Sequence, residues 1–245
     1  MTESSEPRVE AVTFDFWNTL MWEEPGSLKE KRLDVWAETL GPEVDLERAH
    51  DAAHQEYVDS WTAGRQFQVE EAVDHMLERL DSQLGPDAAA ALVDGFSEGG
   101  RRAAVHPSDG VRECLEELRS AGVRLGIVCD IGLTPSQVVR ELLDRHGLPA
   151  YFDGMSFSDE VGHYKPHRAI FEHALAGLGG VPPERAAHVG DRRRTDVAGA
   201  AAMGMTSVRY NGVYEDDAVR APEADIVLAD LSELPQKLGV SERVR

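Results

Sequence analysis

Val12-Thr13-Phe14-Asp15-Phe16-Trp17-Asn18-Thr19-Leu20 places a short apolar, β-prone run before one carboxylate and then turns the chain through Trp17-Asn18-Thr19. A carboxylate just past the carboxyl end of a buried strand lies where open α/β sheets bind ligands. Asp15 is therefore the first candidate for chemistry, although on this stretch alone a turn-capping role reads equally well. Later stretches end in the same way. A strand pattern at 123–129 ends at Cys129-Asp130, and one at 186–189 runs into Gly190-Asp191, with Asp196 five residues on. A third, at 152–157, leads to Gly162-His163-Tyr164-Lys165-Pro166 before a helix.

Between these strands the pattern is helical. Val111, Cys114, Leu115 and Leu118 form one stripe that Gly122 closes, Thr134-Pro135 and Pro166 open further helices, and another spans about 195–203. Residues 205–210 and 226–228 read as two more strands, and Asp230 with Glu233 caps a last short helix. Strands alternating with helices mean a parallel sheet covered on both faces, an α/β Rossmann-like fold. From Met21 to about Val105 the pattern is helical throughout. Ser27 with Glu30 reads as a capping box, followed by a stripe of Leu33, Trp36, Ala37 and Leu40 that stops at Gly41-Pro42. Asp45 caps a second helix with Leu46, Ala49, Ala53, Tyr57 and Trp61 inward. A third carries Val69, Ala72, Val73, Met76, Leu77, Leu80 and Leu84 and ends at Gly85-Pro86, and a fourth runs from about 87 to 104. The expected organisation is a disordered tail at 1–8, an α/β core at 9–20 and 106–240, and a helical bundle at 21–105 inserted after the first strand. Glu23-Glu24-Pro25-Gly26 and the stretch 104–107 read as the two crossings.

The chain has 245 residues, enough for one large domain or two small ones, and its 42% hydrophobic content is that of a folded protein. Against 25 basic residues stand 45 acidic ones, a net charge of −20. Such a surface repels nucleic acid and anionic membranes and favours divalent cations. Two cysteines imply no disulfide framework, the first residues hold no apolar signal region, and no apolar run reaches membrane-span length. The expectation is a soluble, cytoplasmic protein, monomeric or homodimeric.

Parallel strands in one sheet bring Asp15, Asp130, Lys165, Asp191 and Asp196 to a single carboxyl edge. Three carboxylates so close need a cation, and an all-oxygen site suits Mg²⁺. Lys165 beside them suits an anionic group such as a phosphoryl, and Asp15 is a plausible nucleophile. At this point the chain resembles a family. Asp15 with Thr19-Leu20, the strand ending at Cys129-Asp130, Lys165-Pro166, and Gly190-Asp191-Arg192-Arg193-Arg194-Thr195-Asp196 resemble, in order and spacing, the four motifs of the haloacid dehalogenase (HAD) superfamily. The helical insert is similar to that family's C1 cap. The resemblance implies Asp15 as nucleophile, Mg²⁺ held by Asp15, the Trp17 carbonyl, Asp191 and Asp196, and Lys165 on the phosphoryl oxygens. It implies phosphate contacts from Asn18, Cys129 and Asp130 and a hydrogen bond from Thr19 within the first turn. The expected activity is that of a Mg²⁺-dependent phosphatase of a small phosphorylated metabolite, working through an aspartyl-phosphate.

Two departures qualify the resemblance. Family phosphatases carry a second Asp two residues after the nucleophile as general acid and base, where this chain has Trp17, and the second motif offers Ser or Thr where this chain has Cys129. General acid–base help is worth about 10²–10⁴-fold. Dehalogenases of the superfamily also lack the second Asp and carry an aromatic there, but they look metal-free, whereas Asp191 and Asp196 argue for a metal. A dehalogenase using Asp15 and a weakly active binding protein are the two rivals. Phosphonate cleavage needs a lysine from the cap, and Lys29 and Lys31 lie on a charged helix face. His50, His54 and His75 read as solvated helix residues, although one of them, Glu23 or Glu24 is able to replace the missing acid. His163 and Tyr164 read as shaping the loop before Lys165, and Arg192-Arg193-Arg194 as a solvated loop balancing local acid.

Overall fold

The computed structural model describes residues 9–80, 87–218 and 221–240. In chain order the elements are β1 (Ala11–Phe14), β2 (Met21–Glu23), α1 (Ser27–Leu40), α2 (Leu46–Thr62), α3 (Val69–Arg79), α4 (Ala88–Arg102), β3 (Val105–Pro107), α5 (Val111–Ser120) and β4 (Arg124–Cys129). They continue with α6 (Ser136–Arg145), β5 (Gly154–Phe157), α7 (Ser158–Val161), α8 (Arg168–Gly177), β6 (Ala186–Gly190), α9 (Ala198–Met203), β7 (Thr206–Tyr210), β8 (Ile226–Leu228) and α10 (Leu234–Lys237).

All four residues of β1 are buried, which is what a strand covered on both faces requires. β1 pairs in parallel with β4 on one side and β6 on the other, in the sheet order β5-β4-β1-β6-β7-β8. Phe14 lies opposite Ile127 and Val189, so Asp15 emerges level with the ends of both neighbours. The pleat sends alternate side chains to opposite layers. Phe14, Leu125 and Ile127 pack with Leu115, Leu118 and Leu142 on one face. Ala11 and Val128 pack with Ile170, Phe171, Ala174 and Met203 on the other.

The helices α1 to α4 hold a third cluster, centred on Trp36, Ala53, Phe67, Met76, Leu92 and Phe96. Leu133, from the loop after β4, joins it. Trp36 donates its Nε1–H to the Leu92 carbonyl at 3.0 Å and stands edge-on to Phe96. α1 and α4 cross where α4 has glycine. A Cβ at Gly95 would strike the Trp36 ring, and one at Gly99 would lie 2.6–2.7 Å from Arg32 Cγ, Cα and N.

Several elements differ from the sequence reading. The run from Met21 is not helical at once. β2 pairs antiparallel with β3, so the two crossings are zipped together as a ribbon, and three-residue strands are too short to show a period. Ser27 does not cap α1, because Gly26, at φ 82°, precedes the helix; the Ser27 hydroxyl instead accepts the Ala104 N–H at 2.8 Å and ties one crossing to the other. The α1 stripe is rotated, with Arg32, Val35 and Trp36 buried and Leu33, Ala37 and Leu40 only partly so. Asp45 caps α2 as expected, accepting the Arg48 N–H. α8 begins at Arg168 rather than Pro166, because the His167 ring caps it by accepting the Ala169 N–H. A π-helical turn, Arg193–Val197, precedes α9. The expected tail at 1–8, Leu84 and the stop at Gly85-Pro86 lie outside the described residues.

Candidate active site

Asp15 is 7% exposed, and its N–H donates to the Val189 carbonyl at 2.8 Å, which extends the β1–β6 pairing by one residue. The chain then reverses. The Asn18 N–H donates to the Met21 carbonyl and the Met21 N–H to that of Phe16, with Asn18 itself at φ 57°. Asn tolerates this left-handed conformation better than most residues. Trp17 is partly exposed, packs edge-on against Phe16 and lines the cleft above Asp15. The Thr19 hydroxyl, expected to brace this turn, is buried with no hydrogen-bond partner among the described residues. The backbone hydrogen bonds among Phe16, Asn18 and Met21 close the turn without it.

Lys165 is buried, and its Nζ lies 2.7 Å from both Asp15 Oδ1 and Asp196 Oδ1 while donating to the Val128 carbonyl at 3.1 Å. An ammonium has three protons, and all three have acceptors. Asp196 is held from every side. His188 Nε2 is 3.0 Å from Oδ1, and the Arg192 N–H and Thr195 hydroxyl donate to Oδ2. His188 Nδ1 lies 2.9 Å from the Thr13 hydroxyl on β1. Gly190 admits this arrangement, since a Cβ there would collide with the Asp196 carboxyl. Asp191 is less well served. Asn18 Nδ2 is 3.5 Å from its Oδ2 and Arg192 Nε is 3.9 Å away. Asp15, Asp191 and Asp196 offer carboxylate oxygens that all lie within 4.8 Å of one another.

The electrostatics follow from burial and crowding. Burial pushes the Asp15 carboxyl up to about 6, with Asp196 adding to the rise and Lys165 opposing it. Burial, Asp15 and Asp196 together hold Asp191 well above the ordinary carboxylate range. Burial alone would raise Asp196 as well, but Lys165 and His188 hold it below that range. Burial would depress the Lys165 ammonium, and the facing carboxylates outweigh it and raise it. The result is a preformed acidic pocket around one lysine.

The other residues named from the sequence separate into two groups. Asp130 lines the cleft, but its oxygens are engaged: Oδ1 takes the Lys165 N–H at 2.8 Å and Oδ2 takes Trp61 Nε1–H at 2.9 Å. Its role in the structure is to join the Lys165 loop to α2. Cys129 is fully buried, its thiol raised by desolvation and turned to the Asp130 carbonyl at 3.5 Å. Tyr164 is buried, and its hydroxyl accepts the Phe67 N–H at 3.1 Å, another tie between core and insert. His163 stacks on His167 at 3.9 Å.

The cleft over Asp15 encloses about 660 Å³, with a core wall of Asp15, Lys165, Asp191 and Asp196 and an insert wall that includes Glu23, Lys29, Arg32, His50, His54, Tyr57 and Trp61. Arg192 lines it too, contrary to the expectation of a solvated loop; its guanidinium lies over the rings of Trp61 and Tyr214. His50 is buried rather than solvated, and burial with Arg32 nearby lowers it to about 4. Arg32 and His188 were not singled out from the sequence. A polar residue inside Ala186-Ala187-His188-Val189 was the available signal for His188, and Arg32 gave none, since an arginine on a charged helix is usually solvated.

The profile of haloacid dehalogenase-like hydrolases matches residues 9–204. A ribulose-1,5-bisphosphate 5-phosphatase from Halopiger xanaduensis is 30% identical over 229 residues, 87% of this chain and 89% of that protein. A glyceraldehyde 3-phosphate phosphatase from Methanothermobacter thermautotrophicus is 36% identical over 140 residues, 56% of this chain and 60% of its own length, so less than two thirds of that relative is matched. Among solved structures, a HAD phosphatase from Thermococcus onnurineus superposes with a TM-score of 0.62 at 28% identity, covering 95% of this chain and 99% of that one. A 2-haloacid dehalogenase from Pseudomonas syringae superposes with a TM-score of 0.73 at 25% identity, covering 94% and 98%.

Proposed function

The chain belongs to the haloacid dehalogenase-like hydrolase family, and from that premise we propose that it is a Mg²⁺-dependent phosphatase of a small phosphorylated metabolite, with Asp15 as nucleophile. The observation that carries this reading is the buried Asp15, Asp191 and Asp196 cluster, in which Asp191 has only the Arg192 Nε, 3.9 Å away, as an ion-pair partner among the described residues. An all-oxygen donor set with surplus negative charge fits Mg²⁺. Bound there, the ion would offset that charge and polarise a phosphoryl oxygen. The phosphatase names of relatives from Methanothermobacter, Halopiger and Thermus support the substrate class.

In this reading an Asp15 oxygen attacks phosphorus, the ester P–O bond breaks, and the departing oxygen takes a proton. Water then releases phosphate from the aspartyl-phosphate. Lys165, fixed by Asp196 and the Val128 carbonyl, holds the phosphoryl oxygens and keeps Asp15 aimed. The Trp17 carbonyl and the Asn18 amide complete the turn beneath the phosphoryl group. The helical insert acts as a C1 cap, held to the core through Trp61–Asp130 and Tyr164–Phe67, and excludes water. With Trp17 where family phosphatases place an acid, Glu23 is the cleft carboxyl available as a replacement; burial raises it above the ordinary range.

The test is phosphate release from a panel of esters with Mg²⁺ and with EDTA. Turnover that needs Mg²⁺ and disappears in Asp15→Asn is the expected result. The Trp17 wall and the fold shared with the Pseudomonas dehalogenase favour a second reading, displacement of halide from carbon by Asp15. Halide release that persists in EDTA, with no phosphate release, would establish that reading instead.

A further inference from the structure

Arg32 is a buried cation of the cleft that the proposed chemistry does not use. It sits on α1, 4% exposed, its backbone beneath Gly99 and its guanidinium 5.3 Å from the centre of the Phe96 ring. Its Nη2 is satisfied twice, by the Leu133 carbonyl at 2.9 Å and the Thr134 hydroxyl at 2.8 Å. Its Nε is buried with no acceptor among the described residues. Beside it on the same wall, His50 Nδ1 lies 3.3 Å from Asp51 while Nε2 is buried and likewise without a partner. Leaving a buried donor on a charged group unmade is costly, and such atoms in a native structure ask for an explanation. Both residues line the cleft that contains Asp15.

Glu23 offsets the charge of Arg32 only from a distance, without an ion pair. Lys29 is already paired with Glu47 and Asp51. Glu23 shares the wall, but its Oε2 accepts the Leu28 N–H, and no carboxylate lies within ion-pair distance of Arg32 among the described residues. Among the cations that line the cleft, Lys165 on the core wall and Arg32 on the insert wall are the buried ones; Lys29 is taken up by its carboxylates and Arg192 by the Trp61 and Tyr214 rings.

Resting on the phosphatase reading, we propose that Arg32 is the substrate-selecting residue. It binds a second anionic group, a carboxylate or a second phosphate, on the molecule whose phosphoryl group lies at Asp15. A planar guanidinium with unmade N–H groups suits either anion. His50, with Nδ1–H turned to Asp51, presents Nε2 as an acceptor for a hydroxyl of the same ligand.

The test compares kcat/KM within two pairs: 3-phosphoglycerate against glyceraldehyde 3-phosphate, and ribulose 1,5-bisphosphate against ribulose 5-phosphate. The first pair isolates the carboxylate and the second the extra phosphate. In the wild-type protein at least one doubly anionic member is expected to exceed its partner by about tenfold or more, mainly through KM. In Arg32→Gln that ratio should fall about tenfold, and Arg32→Lys should restore part of it. Ratios near one in the wild type, or an equal loss on both members of a pair in Arg32→Gln, would overturn the proposal, because a merely structural role lowers both. Should Arg32→Gln fail to fold, the wild-type ratios and Arg32→Lys still decide. Should no ester turn over, the phosphatase reading fails separately. Calorimetric titration of Asp15→Asn with the same four esters then judges Arg32, equal binding within each pair ruling it out.

Discussion

The two walls of the cleft use similar residue types and treat them differently. On the core wall Lys165 has an acceptor for every proton, and Asp196 is held by Lys165, His188, Thr195 and the Arg192 N–H. On the insert wall Arg32 and His50 are as deeply buried, yet each keeps a polar atom without a partner among the described residues. A wall that performs one reaction on every substrate gains from being complete before the substrate arrives. A wall that distinguishes substrates gains from being completed by the right one, because the wrong ligand leaves its polar groups unpaired.

The strongest way to break this contrast is to remove each cation in turn. Lys165→Met takes the ammonium from two buried carboxylates, Asp15 and Asp196, and deleting one partner of a buried ionic network costs about 3–5 kcal/mol. Arg32→Met removes a group that is already partly unsatisfied, and it should cost less than half as much. Chemical denaturation of the metal-free proteins measures both. Equal losses would mean that the insert wall is as self-contained as the core wall.

The same contrast explains what could be read from the sequence. Asp15, Lys165, Asp191 and Asp196 were legible because a strand end is a local feature, and the parallel sheet carries every such end to one edge. Arg32 was not, because its burial depends on Gly99 opposite and on the Leu133 carbonyl from the core. Asp130 was legible as a strand-end carboxylate, but its engagement by Trp61 depends on where α2 ends against the core. The β2–β3 ribbon was hidden because its pairing joins residues that are distant in sequence and too few to alternate.

A second mutation sharpens the comparison from behind the insert wall. Gly99→Ala places a methyl group against the Arg32 backbone, and neither helix can yield without shifting the other. Overpacking of this kind costs about 1–3 kcal/mol. The melting temperature should fall by roughly 2–4 °C for each kcal/mol in a chain of this size. The discrimination ratio assigned to Arg32 should fall with it, while Mg²⁺ binding at the core wall should not. A loss of Mg²⁺ binding would show that the walls are coupled.

The core wall can be probed by pH without mutation. Asp15 is raised from the ordinary 3.8 to about 6, so folding favours its neutral form. Its stabilising contribution is complete below the ordinary value and is lost as pH rises through about 6. Asp191 shifts in the same direction. Asp196 shifts oppositely and is ionised across the whole window, so it adds no slope between pH 5 and 7.5. Mg²⁺ needs the ionised carboxylates, so the rise in melting temperature that it causes should be larger at about pH 7.5 than at about pH 5. Equal rises at both would place the bound ion away from Asp15.

The smallest expected effect falls where the walls meet. Trp61 donates Nε1–H to Asp130 Oδ2 while its ring lies under Arg192 and Arg194. Trp61→Phe keeps a ring for the two guanidinium groups but leaves Asp130 Oδ2 without that donor, and the remaining Lys165 N–H on Oδ1 keeps the loop in place. The cost should be about 1 kcal/mol, one hydrogen bond to a charged acceptor with partial compensation by water. Because Asp130 joins the insert to the Lys165 loop, that cost should act on closure. KM should rise about fivefold, the factor that about 1 kcal/mol gives, for singly and doubly anionic esters alike. A change confined to the doubly anionic esters would move the selecting function from Arg32 towards the Trp61 end of the insert, and an unchanged KM would mean that Tyr164 and Phe67 suffice to hold the walls together.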